Sequence, residues 1–154
     1  MDFKQMLITV LTGMTGTIGF SVLFRSDKRR TLCNALGGAL TCLVYVVCCE
    51  LFDLEFFQNM IPALIATCYA EIAARIVKAP STPILACSII SLVPGGKLYY
   101  TTYYFVMGNM DLFDKTLMDT LKIAAGLAVG IICVSVFVHE FNRHKFRNIF
   151  ELED

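Results

Sequence analysis

The fold is decided by residues 81–109, which read STPILACSIISLVPGGKLYYTTYYFVMGN. This stretch begins as an apolar run of helical character, is interrupted at Pro94-Gly95-Gly96, and resumes as a tyrosine-rich segment. Proline removes a backbone donor and clashes with the carbonyl one turn back, whereas glycine leaves the backbone nearly free. The sequence therefore predicts an apolar helix that is broken near its middle.

The composition indicates a membrane protein. Of the 154 residues, 56% are hydrophobic and only 17% are charged, and the mean hydropathy is +0.66. Apolar runs of about 20 residues with almost no charge are long enough to cross the hydrocarbon core of a bilayer. The formal net charge is zero, so nothing in the composition points to nucleic acid. We expect an all-α integral membrane protein in contact with the lipid bilayer.

Five runs have the length and composition of a membrane span, and the fourth is the interrupted one. They cover residues 6–24, 33–52, 57–77, 82–107 and 121–138. Together they predict one five-span domain over residues 1–154, with an amphipathic tail at 139–154 on the membrane surface. Lys and Arg are concentrated at 25–30, at 75–78 and in the tail, and such basic segments stay in the cytoplasm. The N-terminus is therefore expected outside and the C-terminus inside.

The connections between these basic segments are acidic. Residues 53–55 and 111–119 contain five acidic side chains, and Lys115 is the one basic residue among them. Basic loops tend to stay in the cytoplasm, whereas acidic loops have no such tendency. We therefore expect both connections on the outer side.

A break at membrane depth predicts a binding site. Backbone groups freed there are tolerated only where protein or a water-filled cavity covers them, and secondary transporters build substrate sites at such half-helix ends. Lys97 adds a positive charge directly after the break, and tyrosine hydroxyls can hydrogen-bond a small polar substrate. The candidate substrate-binding residues are Ser91, Pro94, Gly95, Gly96, Lys97, Tyr99 and Tyr100. The alternative for the tyrosines is an aromatic belt at the outer interface.

A second candidate site is formed by Glu71, which lies four residues before Arg75 in the third span. This spacing places the two charges on one helix face, in the favourable order. An ionisable residue inside a span is costly and points to a function. Two interpretations stay open: Glu71 binds a coupling ion, or it is a structural anchor paired with Arg75 or Lys78 near the interface.

Metal and enzyme chemistry are not indicated. The seven cysteines lie in or beside apolar runs and are interpreted as small buried hydrophobes. They lack the spacing of a zinc site, so we expect no metal and no cofactor. No span carries the two-His, Ser/His or paired-acid spacing that hydrolysis inside a membrane needs, and we expect no enzyme.

Several spans carry glycines at helical spacing, which predict either close helix packing or a moving interface. The first span contains Gly13, Gly16 and Gly19, and the fifth contains the G-x-x-x-G pair Gly126 and Gly130.

One order of motifs extends from the third span through the break. It consists of Glu71-x-x-x-Arg75-x-x-Lys78-x-Pro80, an apolar run, then Leu92-Val93-Pro94-Gly95-Gly96 and Tyr99-Tyr100. This order resembles the threonine/serine exporter family, and in particular the small subunit of its split form, whose apolar span contains a similar Pro-Gly break. Ser91 stands where the family often has proline, and Lys97 where a small residue is more usual.

The resemblance implies a proton-coupled secondary exporter of small amino or dicarboxylic acids, such as threonine, serine or succinate, in a bacterial plasma membrane. It also implies a second five-span subunit of the same family, and a homo-oligomer is the other way to complete so small a unit. The alternative from another class is a non-transporting subunit that only stabilises a membrane complex.

Overall fold

The computed structural model describes the backbone of residues 3–150 and the side chains of residues 4–140. Six helices and one 3-10 turn, Ile90–Leu92, make up this part of the chain, which contains no strand. The helices are α1 Phe3–Leu23, α2 Lys28–Leu51, α3 Glu55–Val77, α4 Ser81–Ile89, α5 Gly95–Val106 and α6 Met110–Phe150. Four of them are long and apolar enough to cross a membrane, and the bent pair α4–α5 adds a fifth if it counts as one span.

Helices α1 and α2 form an antiparallel pair that packs through small residues. A Cβ atom on Gly38 of α2 would overlap the Thr17 side chain of α1, so only glycine permits this approach. One turn further along, the Asn34 amide donates a hydrogen bond of 2.9 Å to the Ser21 hydroxyl. In lipid, close packing and hydrogen bonds of this kind bring helices together. A Cβ atom on Gly16 would have no neighbour within 4 Å, so Gly16 takes no part in this contact.

Helices α3 and α6 run parallel and pack against each other at the G-x-x-x-G pair, Gly126 and Gly130. A Cβ atom on Gly126 would overlap the carbonyl oxygen of Phe56, and one on Gly130 would overlap the carbonyl oxygen of Met60. The two glycines therefore allow the backbones of α3 and α6 to touch. Of the two interpretations of these glycines, close packing is the one that the contacts support.

Helix α4 lies against α2 and α3, whereas α5 packs mainly on α6. The Ser88 side chain on α4 covers Gly37 of α2, and the Tyr69 hydroxyl of α3 donates a hydrogen bond of 2.7 Å to the Cys33 carbonyl. Ile84 and Cys87 on α4 are fully buried. The two halves of the broken helix are thus held by different neighbours.

The start of α6 differs from the sequence prediction. The span was expected from Leu121, after an acidic connection at 111–119, but the helix begins at Met110 and continues to Phe150. The Asn109 side chain accepts a hydrogen bond of 3.3 Å from the Leu112 N–H, which satisfies a free donor of the first turn. Asp111 in that turn is favourable for the helix dipole.

The predicted tail is also continuous with α6. Residues 139–150 extend the same helix without a break, and residues 151–154 lie outside the described part of the chain.

The expectation that all seven cysteines are buried is wrong for two of them. Cys68 and Cys133 are exposed on the outer surface of α3 and α6, whereas Cys42, Cys48 and Cys87 are buried. The outer surface of a membrane protein is itself apolar, so a hydrophobic run does not separate core from surface.

Candidate functional site

The helix break lies at Val93-Pro94. The 3-10 turn ends at Leu92, α5 begins at Gly95, and the axes of the two halves differ by 57°. The Gly95 N–H reaches back to the Val93 carbonyl at 2.7 Å. Within the described chain, no backbone carbonyl accepts a hydrogen bond from the N–H groups of Gly96 and Lys97. The predicted interruption is therefore present, and it leaves two donors free at the start of α5.

Lys97 lies between two carboxylates that come from two other helices. Its ammonium group forms an ion pair with Glu55 Oε1 of α3 and lies 3.8 Å from Asp119 Oδ2 of α6. The other Asp119 oxygen contacts Lys122 Nζ at 3.1 Å. We call Glu55, Lys97, Asp119 and Lys122 the Lys97 cluster.

The Lys97 cluster lies at one end of the bundle and not at its middle. Glu55 is the first residue of α3, so the level of the cluster is that of the α3 N-terminus. The side chains of Lys97 and Glu55 are 36% and 32% exposed, which makes the ion pair accessible from outside the chain.

The remaining predicted substrate residues do not enclose a cavity within this chain. Ser91, Gly95, Gly96 and the two tyrosines are exposed, and Pro94 is half-buried. Tyr99, 65% exposed, stacks on Tyr103 at 6.5 Å between ring centroids, and Tyr100 stacks on Tyr104 at 6.2 Å. The structure therefore brings the free N–H groups and Lys97 together, and leaves the tyrosines as an open aromatic face.

Glu71 and Arg75 lie elsewhere, on a groove of about 410 Å³ between α3 and α6. Glu71 is half-buried and Arg75 is exposed. Within the described side chains, no ion pair joins the two, so the charge-pair interpretation of Glu71 is not realised in this conformation.

Sequence reasoning missed Glu55, Asp119 and Lys122 as members of a site. It placed Glu55 and Asp119 in acidic connections, because acidic residues between apolar runs are typical of loops. The signal that could have found Asp119 is periodicity: Asp111, Lys115, Asp119 and Lys122 recur at spacings that keep them on one helix face.

Metal ligands are not assembled in the part of the chain that the structure describes. No group of three or more His, Cys, Asp or Glu side chains there has the geometry to hold a metal ion.

The described residues form helices only, and four or five of these are long and apolar enough to cross a membrane, which defines the class as a multi-pass membrane protein. The sequence profile described as "Threonine/Serine exporter, ThrE" matches residues 9–137. The chain belongs to the threonine/serine exporter family, whose members are classed as transporters and not as enzymes. Neither curated proteins nor solved structures gave a match.

Proposed function

We propose that this chain is a subunit of a proton-coupled secondary transporter that exports a small polar acid, with threonine, serine and succinate as the substrates to test. The observation that carries the proposal is the break at Pro94, where a lysine and two free N–H groups lie together. Unpaired N–H groups at the start of a half-helix attract anionic groups. Membership of the exporter family supports the same activity.

The charges of the Lys97 cluster favour an amino acid over a dicarboxylate. A substrate carboxylate is attracted to Lys97 and to the N–H groups of Gly96 and Lys97, while an α-ammonium group is attracted to Glu55. Succinate would instead bring a second negative charge towards Glu55 and Asp119, and like charges at short range repel. We therefore expect threonine and serine to bind more tightly than succinate.

The open face of the break supports a second membrane subunit. An unsatisfied N–H group costs several kcal/mol where it lies in hydrocarbon, and Gly96, which carries one of the two free donors, is exposed on this chain. Another five-span subunit of the family, or a second copy of this chain, would cover these groups and close the site. The aromatic face formed by Tyr99 and Tyr100 is part of the same open surface.

The basic segments support the orientation, and membership of the exporter family supports the membrane location. We place the protein in a bacterial plasma membrane with the N-terminus outside and the C-terminus in the cytoplasm. In this orientation α3 begins on the outer side, so the Lys97 cluster faces the exterior. One proton moving inward supplies about 2.3 kcal/mol per 100 mV, enough for a concentration ratio of roughly fifty-fold.

The alternative is a non-transporting assembly subunit. It is favoured by one observation: Lys97 is already paired with Glu55 and lies near Asp119, which is also what a purely structural link between α3, α5 and α6 looks like.

Reconstitution separates the two functions. The chain is placed in lipid vesicles with and without its partner subunit, and flux of labelled threonine, serine and succinate is followed under an imposed proton gradient. The proposal predicts threonine and serine flux that Lys97→Ala abolishes and Lys28→Ala, at an exposed lysine on α2, leaves intact. Absence of flux for all three substrates in both preparations would contradict transport, and intact flux in Lys97→Ala would favour the assembly role.

A further inference from the structure

We propose that Glu55 is the coupling-proton site, and that a proton and the ammonium group of the substrate compete for its carboxylate. This inference rests on the proposed function, amino-acid export through the Lys97 cluster. It replaces Glu71 as the candidate for coupling.

The contacts of the two carboxylates in the cluster distinguish Glu55 from Asp119. Asp119 has a lysine near each oxygen: Lys122 at 3.1 Å from Oδ1 and Lys97 at 3.8 Å from Oδ2. Glu55 contacts Lys97 through Oε1 only, and its Oε2 is buried without a hydrogen-bond partner in the described structure. Neighbouring cations favour the ionised form of a carboxylate, and an unsatisfied buried oxygen disfavours it. Glu55 is therefore the carboxylate with one cation contact and one unused oxygen, and we assign the coupling proton to it.

The groups facing Glu55 come from three helices. On α2, the Tyr45 hydroxyl interacts electrostatically with Glu55. On α5 the facing group is Lys97, and on α6 it is Asp119 behind Lys97, itself balanced by Lys115 and Lys122. Lys97 is thus the one cation that directly contacts Glu55 among the described residues.

An amino acid can replace this contact without leaving a charge unpaired. When the amino acid binds between the two side chains, its carboxylate pairs with the Lys97 ammonium group. Its ammonium group pairs with the Glu55 carboxylate, so both Lys97 and Glu55 gain a new partner. A proton arriving at Glu55 from the outer side converts the carboxylate to a neutral acid. The substrate ammonium then loses its partner, and the amino acid leaves on the side from which the proton came.

The empty site resets by the reverse transfer. The Lys97 cluster faces the exterior in the described conformation, so the cycle includes a second, inward-facing conformation. From that conformation Glu55 releases its proton to the cytoplasm, and the ion pair with Lys97 forms again. One proton enters for each amino acid that leaves, and no covalent bond is made or broken. Because the pair joins α3 to α5 directly after the bend at Pro94, its opening also frees α5 to move about the two glycines that follow.

Binding measurements test the competition without relying on transport. The full chain with its partner subunit is placed in nanodiscs, and threonine binding is measured by calorimetry at about pH 5 and about pH 8. The wild type should bind more weakly at the lower pH and release a proton on binding there. Glu55→Gln should bind about tenfold more weakly at the higher pH, from loss of one charge-assisted contact, and lose the pH dependence.

Two further variants serve as controls. Glu55→Asp keeps a carboxylate and should keep the pH dependence, and Asp53→Asn removes an exposed carboxylate in the neighbouring connection and should behave like the wild type. Wild-type affinity equal at both pH values, or a pH dependence that survives in Glu55→Gln, overturns the inference while leaving export intact. Failure of the wild type to bind threonine, serine or succinate overturns the export proposal and this inference with it.

Discussion

Lys97 on α5 forms an ion pair with Glu55 on α3 across a separation of 42 residues in the sequence. The pair attaches the second half of the broken helix to α3, which also packs against the first half. The Lys97 side chain is therefore directed at α3 and α6 and remains 36% exposed, directly after the break at Pro94. The ion pair thus lies beside the free N–H groups at the start of α5.

Removing the lysine should affect transport much more than stability. A half-exposed ion pair contributes about 1 kcal/mol or less, so Lys97→Ala should leave the melting temperature in detergent nearly unchanged. We expect threonine flux in vesicles to be lost, because the substrate carboxylate has no other cation at the break. Lys97→Arg, which keeps the charge, should retain part of the flux. A large loss of stability in Lys97→Ala would instead indicate a structural link.

The helix break can be tested at its proline. Pro94→Ala restores an N–H that can continue the helical hydrogen bonds and reduce the 57° bend. We expect the variant to fold and to lose most of its threonine flux. Pro83→Ala is the matched control, because Pro83 is exposed in the first turn of α4, where proline removes no helical bond. Equal threonine flux in Pro94→Ala and Pro83→Ala would show that transport does not depend on the bend.

The contact between α3 and α6 depends on a glycine. Gly126→Ala places a methyl group against the carbonyl oxygen of Phe56, and overpacking of this kind costs about 1–3 kcal/mol. Gly16→Ala, on the open side of α1, should change the free energy of unfolding by no more than about 0.5 kcal/mol. Denaturant titration in mixed micelles, followed by circular dichroism, measures both. Equal stability of the two variants would show that the α3–α6 contact is looser than described.

The groove that contains Glu71 should not carry the coupling proton. Among the described side chains Glu71 forms no ion pair with Arg75, and it lies on α3 far along the helix from the Lys97 cluster. We expect the pH dependence of threonine binding to be the same in Glu71→Gln as in the wild type. A pH dependence that disappears in this variant would return the coupling role to Glu71.

The open aromatic face should contact another membrane subunit. A photoreactive amino acid in place of Tyr100, which is 53% exposed, should cross-link in membranes either to the partner subunit or to a second copy of this chain. The same amino acid in place of Ile76, exposed at the opposite end of α3, is the control. Cross-links to lipid alone from position 100 would contradict coverage of the break by protein.

Local sequence signals predicted the helices and the break, since apolar runs and a Pro-Gly-Gly sequence act within one segment. They failed at the start of α6, where charged residues at 111–119 suggested a loop although their spacing fits one face of a helix. They also failed to find Glu55 as the partner of Lys97, because periodicity does not say which helix a given face will meet. The spacing of Glu71 and Arg75 is favourable for a pair, but the two side chains line a groove without joining.

The most direct test of the central claim is the distance from Lys97 Nζ to the carboxyl carbon of bound threonine, measured by solid-state NMR on isotope-labelled protein in lipid bilayers. Without threonine, the Lys97 nitrogen should show dipolar contact with the Glu55 carboxylate. With threonine, that contact should weaken and one to the threonine carboxyl should appear at ion-pair distance, about 3–4 Å. An unchanged Lys97–Glu55 contact in the presence of bound threonine would contradict the account.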